Sequence, residues 1–352
     1  MKISDAIKVS LATLRDSHLS GAKNLALAFL SLKSEPVTML SYPVMIQVEP
    51  TLHCNLQCVM CANPLSKRSK KHMTMKQFKA IVDGMPFLKK MSLVGSGEPL
   101  LNPELFKMIE YAKRRDIMVG FATNAMLLDE KKAKAVLNSR ADWINFSIDS
   151  ADTEKYGAIR KGADLDIVAA NIKRFIRMKA GSSTPEVSAW FVMMEDNIAD
   201  LPDVIRFAKS LGVDIVSAQL EHNWSNDKIK SDMEGRYAPN FYDKIRRAIL
   251  EAKKAAGENK VAFNYVNVPD VDKKRGCKWP WKSCYVTAEG FVTPCCLQGS
   301  DPSIINFGNV FIDDFRRIWN NAAYKDFRKA LKSNKAPEIC AGCTAYFENI
   351  KI

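Results

Sequence analysis

The sequence predicts an α/β fold: a partial (β/α)6 TIM-like barrel with an N-terminal helical extension and a C-terminal cysteine-rich domain. Two observations predict it. From Pro43 onward, short apolar runs alternate with amphipathic, charge-rich segments until about residue 222, where the rhythm stops. The nine cysteines then divide around this stretch: three lie at 54–61, none at 62–276 and six at 277–343. Strands that alternate with helices through short loops pair in parallel and carry their helices outside.

Residues 1–42 read as a helical extension ended by Pro43. Within it Asn24–Leu32 is apolar, but it sits behind a mixed-charge segment and no small-residue cleavage site follows. It reads as an amphipathic helix covering the main domain. Residues 43–222 form the barrel core, with strands at Met45–Val48, Met91–Val94, Met118–Ala122, Trp143–Ile148, Val187–Met193 and Ile215–Gln219. Amphipathic helices between them include Met75–Phe87, Pro103–Arg115, Glu130–Ser139, Ile167–Lys179 and Ile198–Leu211. Residues 223–270 form a linker and helix completing the barrel, with a helix at Phe241–Ala256 and a strand at Val261–Val266. The polar stretch His222–Tyr237, with Trp224 and Arg236, is a candidate lining for the barrel mouth. Residues 271–352 hold the remaining cysteines.

Composition excludes several classes. The 47% hydrophobic and 26% charged residues are those of an ordinary globular protein, and no apolar run reaches the roughly 18–20 residues that span a bilayer. The chain reads as cytoplasmic, with no membrane contact expected. A net charge of +13 favours anionic partners in general. Apart from Lys67, Arg68, Lys70 and Lys71, however, the basic residues are scattered, the pattern of a solvated surface, and no nucleic-acid partner is expected. The odd cysteine count and absent signal argue against a disulfide framework and for two metal sites.

The first site is Glu49-Pro-Thr-Leu-His-Cys54-Asn-Leu-Gln-Cys58-Val-Met-Cys61, on the loop after the first strand. In parallel barrels that rim is where active sites assemble. A structural zinc ion wants four ligands, and His53 or His72 is the available fourth. Three thiolates without a fourth instead leave one metal position open to a small molecule.

The CX3CX2C loop resembles that of the radical S-adenosylmethionine (SAM) superfamily, and further matches follow at successive strand ends. Gly95-Ser96-Gly97-Glu98-Pro is similar to that family's GGEP loop, which receives the SAM amino group. Thr123-Asn124 ends the third strand, and Ser147-Ile-Asp149 ends the fourth, where the family contacts ribose and the methionine portion. Tyr156 to Arg160 resembles the segment that follows. Met193–Asn197 ends the fifth strand, where adenine contacts lie. Ser96 replaces a usual glycine, and Met60 stands where many members carry an aromatic beside adenine. The resemblance implies a [4Fe–4S] cluster on Cys54, Cys58 and Cys61. It also implies SAM contacts from Met60, Gly95, Ser96, Gly97, Glu98, Asn124, Ser147, Asp149, Arg160 and Met193.

The C-terminal cysteines resemble the auxiliary domain called twitch, a shortened SPASM domain. Gly290 precedes Cys295 as in its GX4C element, and Cys340-Ala-Gly-Cys343 is a tight chelating pair. A full SPASM domain adds a CX5CX3C arrangement that this sequence lacks, so one auxiliary [4Fe–4S] cluster is implied. Its ligands are Cys277, Cys295, Cys340 and Cys343, with Cys284 in reserve and Cys296 as a buried or neighbouring thiol. The ligand spacing is similar to that of the radical SAM dehydrogenase acting on an aminocyclitol. A zinc ribbon is the structural alternative.

By this resemblance SAM is cleaved reductively to a 5′-deoxyadenosyl radical that takes hydrogen from the substrate, and the auxiliary cluster relays an electron. A flavodoxin- or ferredoxin-like protein supplies the reducing electron. The 42-residue extension is shorter than the peptide-binding domain of many peptide-modifying members. The expected substrate is therefore a small sugar-like metabolite undergoing oxidation or epimerisation. Peptide modification, and a non-enzymatic iron–sulfur or zinc scaffold, are the alternatives.

Overall fold

The computed structural model describes residues 19–221, 241–274, 276–333, 336–340, 343 and 347–349, with main chain alone for 269–274 and 347–349. The first 18 residues of the extension and the stretch His222–Tyr237, including Trp224 and Arg236, lie outside the described residues.

The chain opens with α1 (Leu19–Ser34), β1 (Met45–Val48), α2 (Met75–Asp83), β2 (Lys90–Leu93), α3 (Leu105–Arg114), β3 (Met118–Thr123) and α4 (Glu130–Ser139). It continues through β4 (Trp143–Ser147), α5 (Thr153–Ile159), α6 (Leu165–Lys179), β5 (Glu186–Met193), α7 (Leu201–Ser210) and β6 (Ile215–Leu220). Next come α8 (Phe241–Asn259), β7 (Ala262–Val266), β8 (Pro269–Lys274), α9 (Trp279–Lys282), β9 (Tyr285–Val286) and β10 (Val292–Thr293). The last elements are α10 (Phe315–Trp319), α11 (Ala322–Lys332) and β11 (Phe347–Asn349).

Strands β1 to β7 lie side by side in chain order, all parallel, as the strand–helix rhythm predicts. The register runs Gln47↔Ser92↔Gly120↔Trp143↔Glu186 across the first five. The ribbon does not close: β7 is one edge, and β1 pairs on its free side with β9 of the cysteine-rich region. With β10 antiparallel to β9, the sheet has nine strands. The cysteine-rich region is therefore welded to the first strand by main-chain hydrogen bonds, which nothing in its sequence announces.

Alternation sets the two faces. Ile46, Val48, Met91, Leu93, Ile144, Phe146, Val216 and Ala218 are buried under the helices. Their neighbours Gln47, Ser92, Asn145, Trp190, Ser217 and Gln219 are half-buried and form the opposite, more polar face. The helices start where side chains satisfy their free amides. Thr74 and Gln77 cap α2 reciprocally, and Asp129, Asp152 and Asp164 cap α4, α5 and α6.

Helix α1 occupies a different place from the one its composition predicts. It packs beside α9 rather than over the barrel helices, because the chain that follows it is pinned to the C-terminal region. Trp281 Nε1 donates to Pro36 O at 2.9 Å and Trp319 Nε1 to Ser41 O at 3.0 Å. Asn320 exchanges hydrogen bonds with the Met39 main chain at 2.7 and 3.0 Å. At the centre Arg328, fully buried, donates to Pro280 O, Trp319 O and Val37 O. Its guanidinium lies 4.4 Å from the Trp319 ring centre and 4.1 Å from that of Tyr324. Burial holds it below its ordinary pKa, at about 10.

Replacing Arg328 with methionine roughly keeps the volume but strands two buried carbonyls, Pro280 O and Trp319 O, and a part-buried one, Val37 O. The expected loss is about 2–4 kcal/mol of stability. Denaturant unfolding measures it, and an unchanged midpoint would contradict the pinning role.

Candidate active site

The loop leaving β1 is drawn closed at its base. Leu52 N donates to Lys71 O at 3.0 Å, Met73 N to Pro50 O at 2.9 Å, and Asn102 Nδ2 to both Pro50 O and Met73 O. Buried Leu52 and Leu56 fix its inner side. Between these anchors stand Cys54, exposed, and Cys58 and Cys61, half-buried, all as free thiols. Each sulfur meets an N–H: Leu56 N at 3.5 Å from Cys54 Sγ, Asn63 N at 3.4 Å from Cys61 Sγ, and Arg160 Nη1 at 3.8 Å from Cys58 Sγ. Burial raises all three thiol pKa values, Cys61 to about 11, and each thiol lies within electrostatic reach of another.

Neither histidine completes a fourth position. His53 and His72 stack on each other with centroids 4.4 Å apart, and His72 Nδ1 is 2.8 Å from Thr51 Oγ1. Burial, with His53 alongside, holds the His72 imidazole below its ordinary pKa. Among the described residues no three His, Cys, Asp or Glu side chains converge on one point as a lone zinc ion demands. Thiolates of a cubane stand farther apart, each on its own iron.

The Gly95–Pro99 loop rests directly on this cysteine loop. Glu98 N donates to His53 O at 2.8 Å. A β-carbon on Gly97 would sit 2.3 Å from Thr51 O and 2.6 Å from His53 O, so only glycine allows the approach. One on Gly95 would strike the Glu49 side chain at 2.4 Å. Ser96, between them, is half-buried and its amide donates to Glu49 Oε1 at 3.0 Å. The Glu98 side chain is spoken for: its carboxylate accepts from Leu100 N, Thr123 Oγ1 and Asn124 N at 3.1, 2.7 and 2.8 Å. Burial nonetheless raises its pKa, opposed by those donors. Asn124 Nδ2 in turn reaches Asn55 Oδ1 at 3.0 Å, between the first two cysteines.

On the far side Asp149, fully buried at the end of β4, pairs with Arg160 at 2.6 Å and accepts from Val192 N at 2.8 Å. Burial raises the Asp149 carboxyl and Arg160 pulls it back. Arg160 Nε is buried without a hydrogen-bond partner, on a residue that already touches Cys58 Sγ. Met60 packs with Ile159 and Met194 into a small apolar wall that Cys58 and Val192 border. Met193 is turned into the main core, and Met194 takes the place beside Met60. The cause is the strand's period of two, which flips neighbouring side chains. Ser147, half-buried, offers its carbonyl to Tyr156 Oη at 3.2 Å.

The C-terminal cysteines form a second group. Cys277, Cys295, Cys340 and Cys343 lie within electrostatic reach of one another. Burial lifts the Cys277 thiol to about 12. The amides of Gln298, Gly299 and Leu297 surround the Cys295 sulfur, and Cys343 N closes onto Cys340 O at 3.2 Å. Cys284 stands apart in the core beside Arg328, which leaves the reserve ligand out of the group. Cys296 adjoins Cys295 and bonds the Gln47 side chain, on the polar face of β1.

Three residues that organise this site escape motif reading. Glu49 is fully buried at the end of β1, and Arg68 joins it to Glu289 of the C-terminal region. Arg68 belongs to the one clustered basic run of the sequence, and its side chain is mostly buried between two carboxylates. Lys70, two residues on, is exposed, and its ammonium donates to Asn63.

Comparisons with known proteins agree with this geometry. Residues 48–208 match the family described as the Radical SAM superfamily, and residues 277–344 match SPASM, an iron–sulfur cluster-binding domain. The chain is 29% identical to the PqqA peptide cyclase of Gluconobacter oxydans over 87% of this chain and 84% of that protein. It is 24% identical to the tungsten-containing aldehyde ferredoxin oxidoreductase cofactor-modifying protein of Pyrococcus furiosus, over 85% and 86%. The crystal structure of Streptococcus suis SuiB bound to precursor peptide SuiA shares the fold, with TM-score 0.68 and 14% identity over 92% of this chain and 74% of that one. The three-thiol loop, the glycine cradle and the orphaned Arg160 Nε fit the family's cofactors, a [4Fe–4S] cluster with SAM, and the second cysteine group fits auxiliary iron–sulfur binding. The chain carries a radical SAM domain over residues 48–208, followed by a SPASM iron–sulfur cluster-binding domain over residues 277–344.

Proposed function

We propose that this radical SAM enzyme modifies a peptide by taking hydrogen from one of its residues. The observation that carries the reading is the 29% identity, over 87% of the chain, to a protein named as a peptide cyclase. Only about a sixth of that protein lies outside the match, so a short N-terminal extension is no argument against a peptide substrate. The expectation of a small sugar-like metabolite rested on that argument and gives way. A small-molecule substrate stays as the second reading, favoured by the similarity to a cofactor-modifying protein.

Cys54, Cys58 and Cys61 would hold the SAM-binding cluster through their three thiolates. When bound, cluster and SAM together supply a 5′-deoxyadenosyl radical by one-electron reductive cleavage. The main chain of Gly95–Glu98 and the Arg160 guanidinium orient the amino and carboxylate ends of SAM. The Glu98 side chain works indirectly, holding that main chain against β3. Ser147, Asp149 and Asn124 fix the strand ends that meet the ribose and methionine portions. Met60 and Met194 form an apolar wall for adenine, excluding water. Cys277, Cys295, Cys340 and Cys343 would hold the auxiliary cluster, which would supply a one-electron acceptor. A flavodoxin- or ferredoxin-like donor reduces the first cluster.

Anaerobic reconstitution with iron and sulfide, then dithionite and SAM, is expected to yield 5′-deoxyadenosine with the wild type and none with Cys54→Ala. Undiminished product in the variant would refute the cluster assignment. A perdeuterated extract of the source cell, split into peptide and small-metabolite fractions, reads the substrate class. Deuterium is expected in 5′-deoxyadenosine with the peptide fraction, and transfer from the small-metabolite fraction alone would replace this reading with the second.

Iron content should be about eight atoms per chain and about four in a Cys54/Cys58/Cys61 triple-alanine variant. Zinc retained in that variant would defeat the electron-acceptor role. Glu98→Ala removes the acceptor of three hydrogen bonds and is expected to weaken SAM binding about tenfold with iron retained. Calorimetry measures it, and wild-type affinity would refute the placement of the loop.

A further inference from the structure

The Glu49 carboxylate is shared between three parts of the chain. On the SAM side it accepts from Ser96 N at 3.0 Å. From the auxiliary hairpin it accepts from Tyr285 Oη at 2.8 Å and Ala288 N at 3.1 Å. From the end of the cysteine loop it takes Arg68, with Nη2 at 2.5 Å and Nη1 at 3.3 Å. The same guanidinium reaches Glu289, at the tip of the β9–β10 hairpin, and Ser300 O at 2.8 Å. The Arg68 and Glu49 side chains are 7% and 0% exposed.

A buried carboxylate and a half-buried one around a largely buried cation are a poor way to gain stability, because desolvation offsets much of the attraction. Such an arrangement does fix position: a planar fork facing two carboxylates sets both distance and direction. Here the groups fixed are the amide beside Gly95 and Gly97 on one side and the auxiliary hairpin on the other. The loop has no slack, since a β-carbon at Gly95 would meet Glu49 Cγ at 2.4 Å and Tyr285 Oη at 2.7 Å. A shift of the hairpin therefore moves Glu49, and Glu49 moves the Ser96 amide.

We propose that Arg68 is a positioning residue that makes SAM binding at the first cluster depend on the seating of the auxiliary domain. The proposal rests on the reading of Gly95–Glu98 as the SAM loop. A merely structural Arg68 would lower stability and leave the affinity of the folded, loaded protein unchanged.

The test uses full-length protein reconstituted with both clusters and compares Arg68→Met, Glu289→Ala and the double variant by calorimetry with SAM and by EPR of the reduced first cluster. Iron content is expected to stay at the wild-type level. SAM affinity should fall about tenfold in Arg68→Met and less in Glu289→Ala, and the double variant should match Arg68→Met because both act through one clamp. The SAM-induced change in the EPR signal should shrink in parallel. Should Arg68→Met lose iron from the first cluster, Glu289→Gln, which keeps an acceptor oxygen but not the charge, carries the test with a smaller loss of affinity. Wild-type affinity in the iron-loaded variants, or additive losses in the double variant, would overturn the clamp. Wild-type protein that binds no SAM would overturn the loop reading instead.

Discussion

A carboxylate stripped of water at the end of β1 sets the terms for the rest of the molecule. Glu49 sits where the strand gives way to the cysteine loop, and it is stable there only because donors from four directions meet it. Those donors come from the two loops that surround the first cluster and from the hairpin that continues the sheet. Main-chain pairing of β1 with β9 supplies the frame, and the charge network supplies the register. Two cysteine groups more than 200 residues apart in sequence are thereby held on one rigid edge.

The chemistry follows from what that edge leaves undone. Burial raises every thiol of the first loop, so without iron the loop favours neutral sulfur, and metal loading must displace protons. Backbone amides and the Arg160 guanidinium already point hydrogen-bond donors at the sulfurs, an arrangement that stabilises a negatively charged cluster. The glycines at 95 and 97 let the next loop press against the carbonyls of Thr51 and His53 and the side chain of Glu49. The two histidines nearby are committed to each other and to Thr51.

Much of this was legible in the sequence because it is local. The strand ends, the three close cysteines and the GSGEP loop are contiguous patterns, and the alternation of short apolar runs with amphipathic segments placed the six strands. Long-range partners were not legible. Arg68 and Glu289 are 221 positions apart, and nothing in a lysine- and arginine-rich run says which cation turns inward. The two-residue strand β9 is too short to show a pattern, yet it decides where the auxiliary domain sits. Helix α1 is apolar enough for several docking sites, and tryptophan and asparagine side chains near the other end of the chain choose among them. At β5 the motif points to Met193, whose side chain is buried in the main core, while Met194 packs beside Met60, since one step along a strand reverses the side chain. The substrate expectation leaned on a weaker kind of sign: extension length is a property of some relatives, not a physical constraint on peptide binding.

The account depends on an iron that no side chain of this protein claims. Mössbauer spectroscopy of protein reconstituted with 57Fe, recorded with and without SAM, observes that iron directly. A single iron of the first cluster is expected to change its isomer shift when SAM is added, with the auxiliary irons unaffected. A spectrum indifferent to SAM would contradict the account.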